Sequence, residues 1–322
     1  MRTRIIGTGS CLPEKILTND ELSRMVDTSD EWIKTRTGIE NRRIAKEETT
    51  YSMGAEAAKE ALLQSKTAAE DIDLIIAATS SAEYAFPNTA SLIQKEIGAD
   101  GAACFDVSVA CSGFIVALNI ADAMIKAGGV KKALVIGTEI MSGQLDWSDR
   151  SVCVLFGDGA GAVVLDGNCQ HDKGQECNSG KANASGIIDA DIHSDGSRGL
   201  VLTCGKDTPV NMNGQEVFKF AVKKVPESIQ TVLKRNNLTA DDIDCYILHQ
   251  ANLRIIESVA KRLKLDIEKF PHNMDKYGNT SAASIPILLA ELNREHRIKS
   301  GDLLVLSGFG AGLSWGSLLV RL

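Results

Sequence analysis

The chain carries a diverged copy of itself. Ala68-Ala69-Glu70-Asp71-Ile72-Asp73-Leu74-Ile75-Ile76 resembles Thr239-Ala240-Asp241-Asp242-Ile243-Asp244-Cys245-Tyr246-Ile247, with Ile72 aligned to Ile243. Each copy follows a stretch of helical periodicity and runs into an apolar, strand-like segment. The first helical stretch is 52–65, with Ala57, Ala58, Ala61 and Leu62 on one face; the second is 216–235, with Val217, Phe220, Val225, Ile229 and Val232. A second echo, Lys132–Gly137 against Asp302–Ser307, recurs at nearly the same spacing, with Leu134 aligned to Leu303. Two echoes at nearly matching offsets predict two similar halves, 1–170 and 171–322.

In each half helices alternate with short apolar runs. The predicted strands include 152–156, 162–165, 303–306 and 316–322. Such alternation points to a layered α/β fold with largely buried sheets. The stretch 167–185, rich in Gly, Asn, Lys and Ser, reads as a surface loop where the halves meet.

Composition removes several function classes. The 322 residues are 44 % hydrophobic and 24 % charged, and the formal net charge is −7. An acidic balance disfavours general binding to nucleic acid or anionic membranes. No apolar run reaches the roughly 18 residues of a membrane span. The eight cysteines are scattered without paired spacing, as expected of reduced thiols in a cytoplasm rather than a disulfide framework. Cys169, His171 and Cys177 lie close in sequence, but their spacing fits no common zinc site, so they read as polar loop residues.

Three segments carry chemistry. In Phe105-Asp106-Val107-Ser108-Val109-Ala110-Cys111-Ser112-Gly113-Phe114 an apolar strand leads into Cys111, and the helix that follows is apolar almost all round. That helix should end at Gly128-Gly129. A cysteine at a helix N-terminus is expected to be biased toward thiolate. Equally, it can be a small buried hydrophobe, and this segment alone leaves both readings open. Cys104, Cys153 and Cys245, inside strand-like runs, read as core.

The second segment is Ile247-Leu248-His249-Gln250-Ala251-Asn252. It puts His249 at a strand C-terminus before a helix over 253–263, where sites collect in α/β folds. The third is Tyr277-Gly278-Asn279-Thr280-Ser281-Ala282-Ala283-Ser284, before a helix over 285–293. His249 alone could be a satisfied core residue, and Asn279 alone a turn residue. Together the three form a coherent set: a nucleophile and two donors for a developing oxyanion. The glycine-rich Phe156–Ala162 is followed by a strand and matches no nucleotide-binding pattern, so a tight turn in the core is the better reading. Gly308-Phe309-Gly310-Ala311-Gly312, after a strand, could present backbone amides to a site.

With these motifs the chain resembles the 3-oxoacyl-[acyl-carrier-protein] synthase III family of condensing enzymes. Thr37-Gly38-Ile39 and the segments around Cys111, Gly157, His249, Asn279 and Gly310 occur in order along nearly the whole length. The resemblance implies an α/β thiolase fold, a five-layered αβαβα sandwich built from two similar halves. It implies a decarboxylative Claisen condensation of an acyl-CoA primer with malonyl-acyl carrier protein through an acyl-Cys111 intermediate, His249 and Asn279 stabilising the enolate.

By the same resemblance the backbone amides of Cys111 and Ala311 form an oxyanion hole. Trp32 and Arg150 clasp the CoA adenine, Thr28 and Arg36 meet its phosphates, and Gly214, Phe218, Ala251 and Asn252 line the pantetheine tunnel. Phe309 and a partner-supplied Phe86 shape the acyl pocket, which implies a homodimer. No cofactor or metal is implied, since acyl-CoA is a substrate.

Lys219, Arg254, Lys261 and Arg262 form a basic patch suited to an acidic carrier protein. Charged helix faces are more often simply solvated. Two departures from the family stand out: Ala311 where glycine is common, and the length of the 167–186 stretch. The same triad could also serve an acyltransferase or ketide synthase with another acceptor. A non-catalytic subunit would need none of the three residues.

Overall fold

A computed structural model of the chain describes residues 2–167, 185–205 and 207–322. Cys169, His171, Cys177, most of the 167–186 stretch and the expected boundary between residues 170 and 171 lie outside the described residues.

Two sheets form the frame. The first has strand order Arg4–Cys11, Gly159–Asp166, Lys132–Glu139, Leu74–Ala78, Ala103–Val107. The second runs Gly186–Ser194, Ser314–Arg321, Leu303–Gly310, Cys245–Leu248. Pairing directions agree strand for strand: antiparallel, antiparallel, then parallel. Leu74–Ala78, Leu303–Gly310 and Cys245–Leu248 are buried along their whole length, as strands covered on both faces require.

Register fixes the repeat. Leu74 pairs with Ala133 in the first sheet and Cys245 with Leu304 in the second. Leu74 and Cys245 stand at the same offset as Ile72 and Ile243, and so do Ala133 and Leu304. Leu134 therefore corresponds to Val305, and not to Leu303 as the second echo suggested. Matching apolar residues along a continuous run leaves a small slip open; hydrogen-bonded register does not.

The helices Gly113–Lys126 and Ser284–Arg294 contact strands of both sheets and form the central layer. Thr50–Ser65 and Thr89–Ile97 cover the outer face of the first sheet. Gly214–Arg235, with Leu253–Leu263 beside it, covers that of the second. The result is an αβαβα sandwich. Phe114, Ile115, Leu118, Ile285, Leu288 and Leu289 are buried between the sheets. This explains why the helix after Cys111 is apolar almost all round: it lies in the central layer, covered on both sides.

Two expected features differ. Residues 152–156 form no strand. Successive turns, with the Val152 and Cys153 N–H groups both bonded to the Asp149 carbonyl, bury Val152, Val154 and Phe156, and only Phe156 makes a bridge, to Asn279. An apolar run records burial, and a buried turn gives the same pattern as a buried strand. Cys153 accordingly sits in a turn, although still buried. Gly308 and Gly310 lie within the strand Leu303–Gly310 rather than after it.

Candidate active site

Two elbows meet at the middle of the sandwich. A short 3-10 turn, Ala110–Ser112, precedes the first central helix, and another, Ser281–Ala283, precedes the second. Ala110 and Ser281 both adopt left-handed backbone, with φ of 44° and 48°. That conformation is uncommon outside glycine and often marks functional sites. It turns each chain sharply into its helix. The space is tight: a Cβ on Gly137 would lie 2.3 Å from the Ala282 carbonyl oxygen, and one on Gly310 2.9 Å from the Cys111 nitrogen. Glycine is required at both places for the elbows to seat.

Cys111, 7 % exposed, lies at the inner end of a cavity of about 920 Å³ that also takes in His249, Asn279, Phe309 and Gly310. The structure therefore brings together the three residues that the sequence singled out. Each is held from a different direction. The His249 backbone N–H donates to the Ser307 carbonyl across the parallel strand pair. Its ring packs edge-on against Phe309, centroids 5.2 Å apart. Asn279 is pinned by the 151–156 turns and the residue after them: its N–H donates to the Leu155 carbonyl, and its carbonyl accepts from the Gly157 N–H. The buried Arg42 guanidinium donates to the Val154 carbonyl and so braces those turns.

Proton positions follow from the hydrogen bonds. The Ser284 hydroxyl oxygen lies 2.7 Å from His249 Nδ1 and accepts from the Gln250 N–H. A Ser284 hydrogen donated to Nδ1 places the proton of the neutral His249 ring on Nε2. Burial pushes the His249 pKa down to about 3, so the ring is neutral at neutral pH. The Ser281 N–H donates to Asn279 Oδ1 at 2.9 Å, which assigns Nδ2 as the free donor end. A neutral Nε2–H and an amide Nδ2–H are donors suited to an oxygen that becomes negative.

The thiol departs from expectation. Burial pushes Cys111 up to about 12, the Glu139 charge adding to this and a hydrogen bond to Ser281 opposing it. This favours a thiol at Cys111 over the thiolate that a helix N-terminus suggested. Loss of hydration around the buried sulfur outweighs the local pull on its charge.

Most of the remaining sequence candidates line the cavity. Arg36 and Trp32 line it, and the guanidinium carbons of Arg36 and Arg150 sit 4.9 and 5.2 Å from the Trp32 ring centre. Gly214, Phe218, Ala251 and Asn252 line the passage. Asn252 caps the helix Leu253–Leu263 and donates to the Arg36 carbonyl, tying the two walls together. Lys219 and Arg254 border it, while Lys261 and Arg262 lie exposed further along the same helix as Arg254.

Thr28, Arg150, Ala311 and Phe86 are not among the lining residues of this cavity. Ala311 directly follows Gly310, which abuts the Cys111 backbone. Phe86 is 87 % exposed on the loop after Leu74–Ala78. Among the described residues no cluster of His, Cys, Asp and Glu is arranged to hold a metal ion. No helix of the described residues is long and apolar enough to cross a membrane.

Sequence reasoning missed Ser281, Ser284 and Glu139. The two serines sit inside the quoted Asn279 segment and read there as small residues. Glu139 gave a signal that went unused: the single carboxylate of the run Lys132–Glu139, at its end.

Comparison with known proteins identifies the family. The family model described as 3-oxoacyl-[acyl-carrier-protein (ACP)] synthase III matches residues 105–196, and that of its C terminal part matches residues 233–322. A Clostridium acetobutylicum protein named beta-ketoacyl-[acyl-carrier-protein] synthase III is 48 % identical over 331 aligned positions, covering 98 % of each chain. The crystal structure of 3-oxoacyl-[acyl-carrier-protein] synthase III from Aquifex aeolicus superposes with a TM-score of 0.93 at 47 % identity, over 99 % of this chain and 100 % of that one. The priming β-ketosynthase of a polyketide biosynthetic pathway follows at a TM-score of 0.90 and 34 % identity, over 99 % of this chain and 96 % of that one. With its thiolase-fold sandwich and paired elbows, the chain belongs to the 3-oxoacyl-[acyl-carrier-protein] synthase III family, the condensing acyltransferases that initiate fatty acid synthesis.

Proposed function

We propose that Cys111, His249 and Asn279 carry out a two-stage condensation. Cys111 attacks the thioester of an acyl-CoA; the new Sγ–C bond forms as the bond to the CoA sulfur breaks. Malonyl-acyl carrier protein then enters and loses carbon dioxide. The electron pair left behind puts negative charge on its thioester oxygen, where His249 Nε2–H and Asn279 Nδ2–H donate. The carbanion attacks the acyl-Cys111 carbonyl, whose oxyanion is held by the Cys111 and Ala311 amides, and 3-oxoacyl carrier protein departs. Each such donor is worth about 2.7–4 kcal/mol of barrier. The observation that carries this reading is the convergence of the three side chains on one cavity, with His249 Nδ1 turned to Ser284 at 2.7 Å.

The cavity between Trp32 and Cys111 is the path for CoA, with Arg150 and Trp32 on its adenine, Thr28 and Arg36 on its phosphates, and Gly214, Phe218, Ala251 and Asn252 along its arm. Phe309 borders the primer. Phe86, exposed on one protomer, completes the acyl pocket of a second copy in a homodimer. Lys219, Arg254, Lys261 and Arg262 dock the acidic carrier protein in the cytoplasm. The chemistry draws on thioester exchange and decarboxylation and needs no resident cofactor.

Intact-mass analysis after exposure to a panel of acyl-CoAs tests the reading. One adduct on Cys111, discharged by malonyl-acyl carrier protein as a 3-oxoacyl product, is the expected result. An adduct that this substrate leaves in place would instead support transfer to another acceptor. Arg254→Glu should raise KM for the carrier-protein substrate more than for acyl-CoA; equal changes would remove Arg254 from the docking surface.

A further inference from the structure

One hydroxyl away from Cys111 lies a buried carboxylate that the condensation has not used. Glu139 closes the strand Lys132–Glu139 and is fully buried. Its oxygen Oε2 accepts from the Ser81 hydroxyl at 2.6 Å, the Ser80 N–H at 3.0 Å and the Thr79 hydroxyl at 3.3 Å. Ser81 Oγ itself accepts from the Ile140 N–H, so its own hydrogen is committed to Glu139. Oε2 is thus filled with donors.

Oε1 accepts from the Ser281 hydroxyl at 2.8 Å, and Ser281 Oγ in turn accepts from the Cys111 thiol at 3.5 Å. The directions are consistent along the chain: Sγ–H to Ser281, Ser281 O–H to Glu139. Ser281 is held for this by its left-handed backbone and by the bond from its N–H to Asn279 Oδ1. Two thiols, Cys111 and Cys204, lie within electrostatic reach of Glu139. Burial raises the Glu139 carboxyl above its usual range, and the bonds it accepts from Ser81, Ser80 and Ser281 oppose that rise.

We propose that Ser281 takes the Cys111 proton during acylation while passing its own to Glu139 Oε1, and that the same path returns the proton to Cys111 after condensation. This deepens the proposed function and rests on it. The balance closes over one turnover. As the Sγ–C bond forms, the thiol proton moves to Ser281 Oγ and the Ser281 proton to Glu139. CoA leaves as a thiolate and takes its proton from water. When the carbanion displaces Cys111 as a thiolate, Glu139 gives its proton back through Ser281. His249 stays neutral throughout and acts only as a donor. Ser281 touches the reacting sulfur and is catalytic; Glu139 works through it and is a positioning and proton-holding residue.

The test measures alkylation of Cys111 by iodoacetamide as a function of pH, with the site mapped by mass spectrometry. This readout needs neither acyl-CoA nor carrier protein. Ser281→Ala and Glu139→Gln should each slow alkylation at pH 7 by roughly tenfold or more, and Ser281→Ala, which removes a bond that lowers the thiol pKa, should also move the pH profile to higher pH. Their effects should not add in the double variant, and His249→Ala should slow alkylation less than either. An unchanged profile in Ser281→Ala, or additive effects, would overturn the relay. Ser281→Ala keeps Glu139 and its other donors, so where Glu139→Gln yields no folded protein by circular dichroism, Ser281→Ala and Glu139→Asp decide; Glu139→Asp should restore part of the rate. Intact alkylation behaviour with no acyl adduct from any acyl-CoA would overturn the condensation and leave the relay standing.

Discussion

The two halves of the molecule share a plan and differ in what they place on it. The offset that carries Leu74 onto Cys245 holds well beyond the sequence echo. It maps the left-handed residue Lys66, after the first outer helix, onto the left-handed Asn237. It maps the elbow Ala110–Ser112 onto Ser281–Ala283, and the start of the central helix at Gly113 onto Ser284. Gly137 maps onto Gly308, and each lies under the opposite elbow. At the equivalent positions of the elbows the first half carries Cys111 and the second Ala282. The first half has a fifth strand, Ala103–Val107, where the second has the short helix Met274–Tyr277. The repeat supplies two like bends aimed at one point: one carries Cys111, and the other carries Ser281, with Asn279 and Ser284 flanking it. A symmetric frame is a direct way to bring side chains from distant parts of a chain to within hydrogen-bond range.

The largest expected effect comes from removing what makes the elbows unlike. Cys111→Ala gives both elbows alanine at this position and should abolish the acyl adduct, with condensation falling by roughly 10⁴-fold or more. The melting temperature should change little, since alanine fills most of the same small buried site. Intact mass and a thermal melt read the two quantities, and a surviving adduct would show that another nucleophile carries the acyl group.

Asn279→Ala comes next. It removes a donor contributed by the second half and should cost about 10²–10³ in condensation. Acylation of Cys111 by acyl-CoA should persist, so a pre-steady-state separation of the stages distinguishes the loss of a donor from general damage.

The seating of the elbows offers a finer comparison. A Cβ on Gly137 would meet the Ala282 carbonyl oxygen at 2.3 Å, whereas the nearest atom to one on Gly308 is 3.2 Å away, a side-chain carbon of Ile115. Gly137→Ala should therefore destabilise by about 1–3 kcal/mol through backbone displacement, and Gly308→Ala by less. Denaturant midpoints compare the two. Equal losses would mean that the second elbow yields as readily as the first.

The smallest effect is on acid stability. The ordinary pKa of a histidine is 6.5, and burial brings that of His249 down to about 3. Between those values the unfolded chain holds more protons, so stability rises with pH through this window and is lost as pH falls. His249→Gln should move the acid-unfolding midpoint to lower pH by a fraction of a unit, read by fluorescence during titration.

Much of this was legible in the chain. The repeated Ala-Glu-Asp-Ile-Asp and Ala-Asp-Asp-Ile-Asp segments, each leading into an apolar strand, announced two halves, and the all-round apolar helix after Cys111 announced a buried one. These signals are local: periodicity and patterning reflect which faces are buried. Cys111, His249 and Asn279 could be picked out as candidates because each stands near a break in the pattern, close to the start of a helix. The turns at 151–156 escaped because a buried turn and a buried strand share a composition. The protonation of Cys111, the tautomer of His249 and the link from Ser281 to Glu139 were not in the sequence at all. They depend on desolvation and on hydrogen bonds between residues far apart in the chain, 170 positions for Cys111 and Ser281. Only the packing of the two halves against each other decides which groups lose water and which find partners.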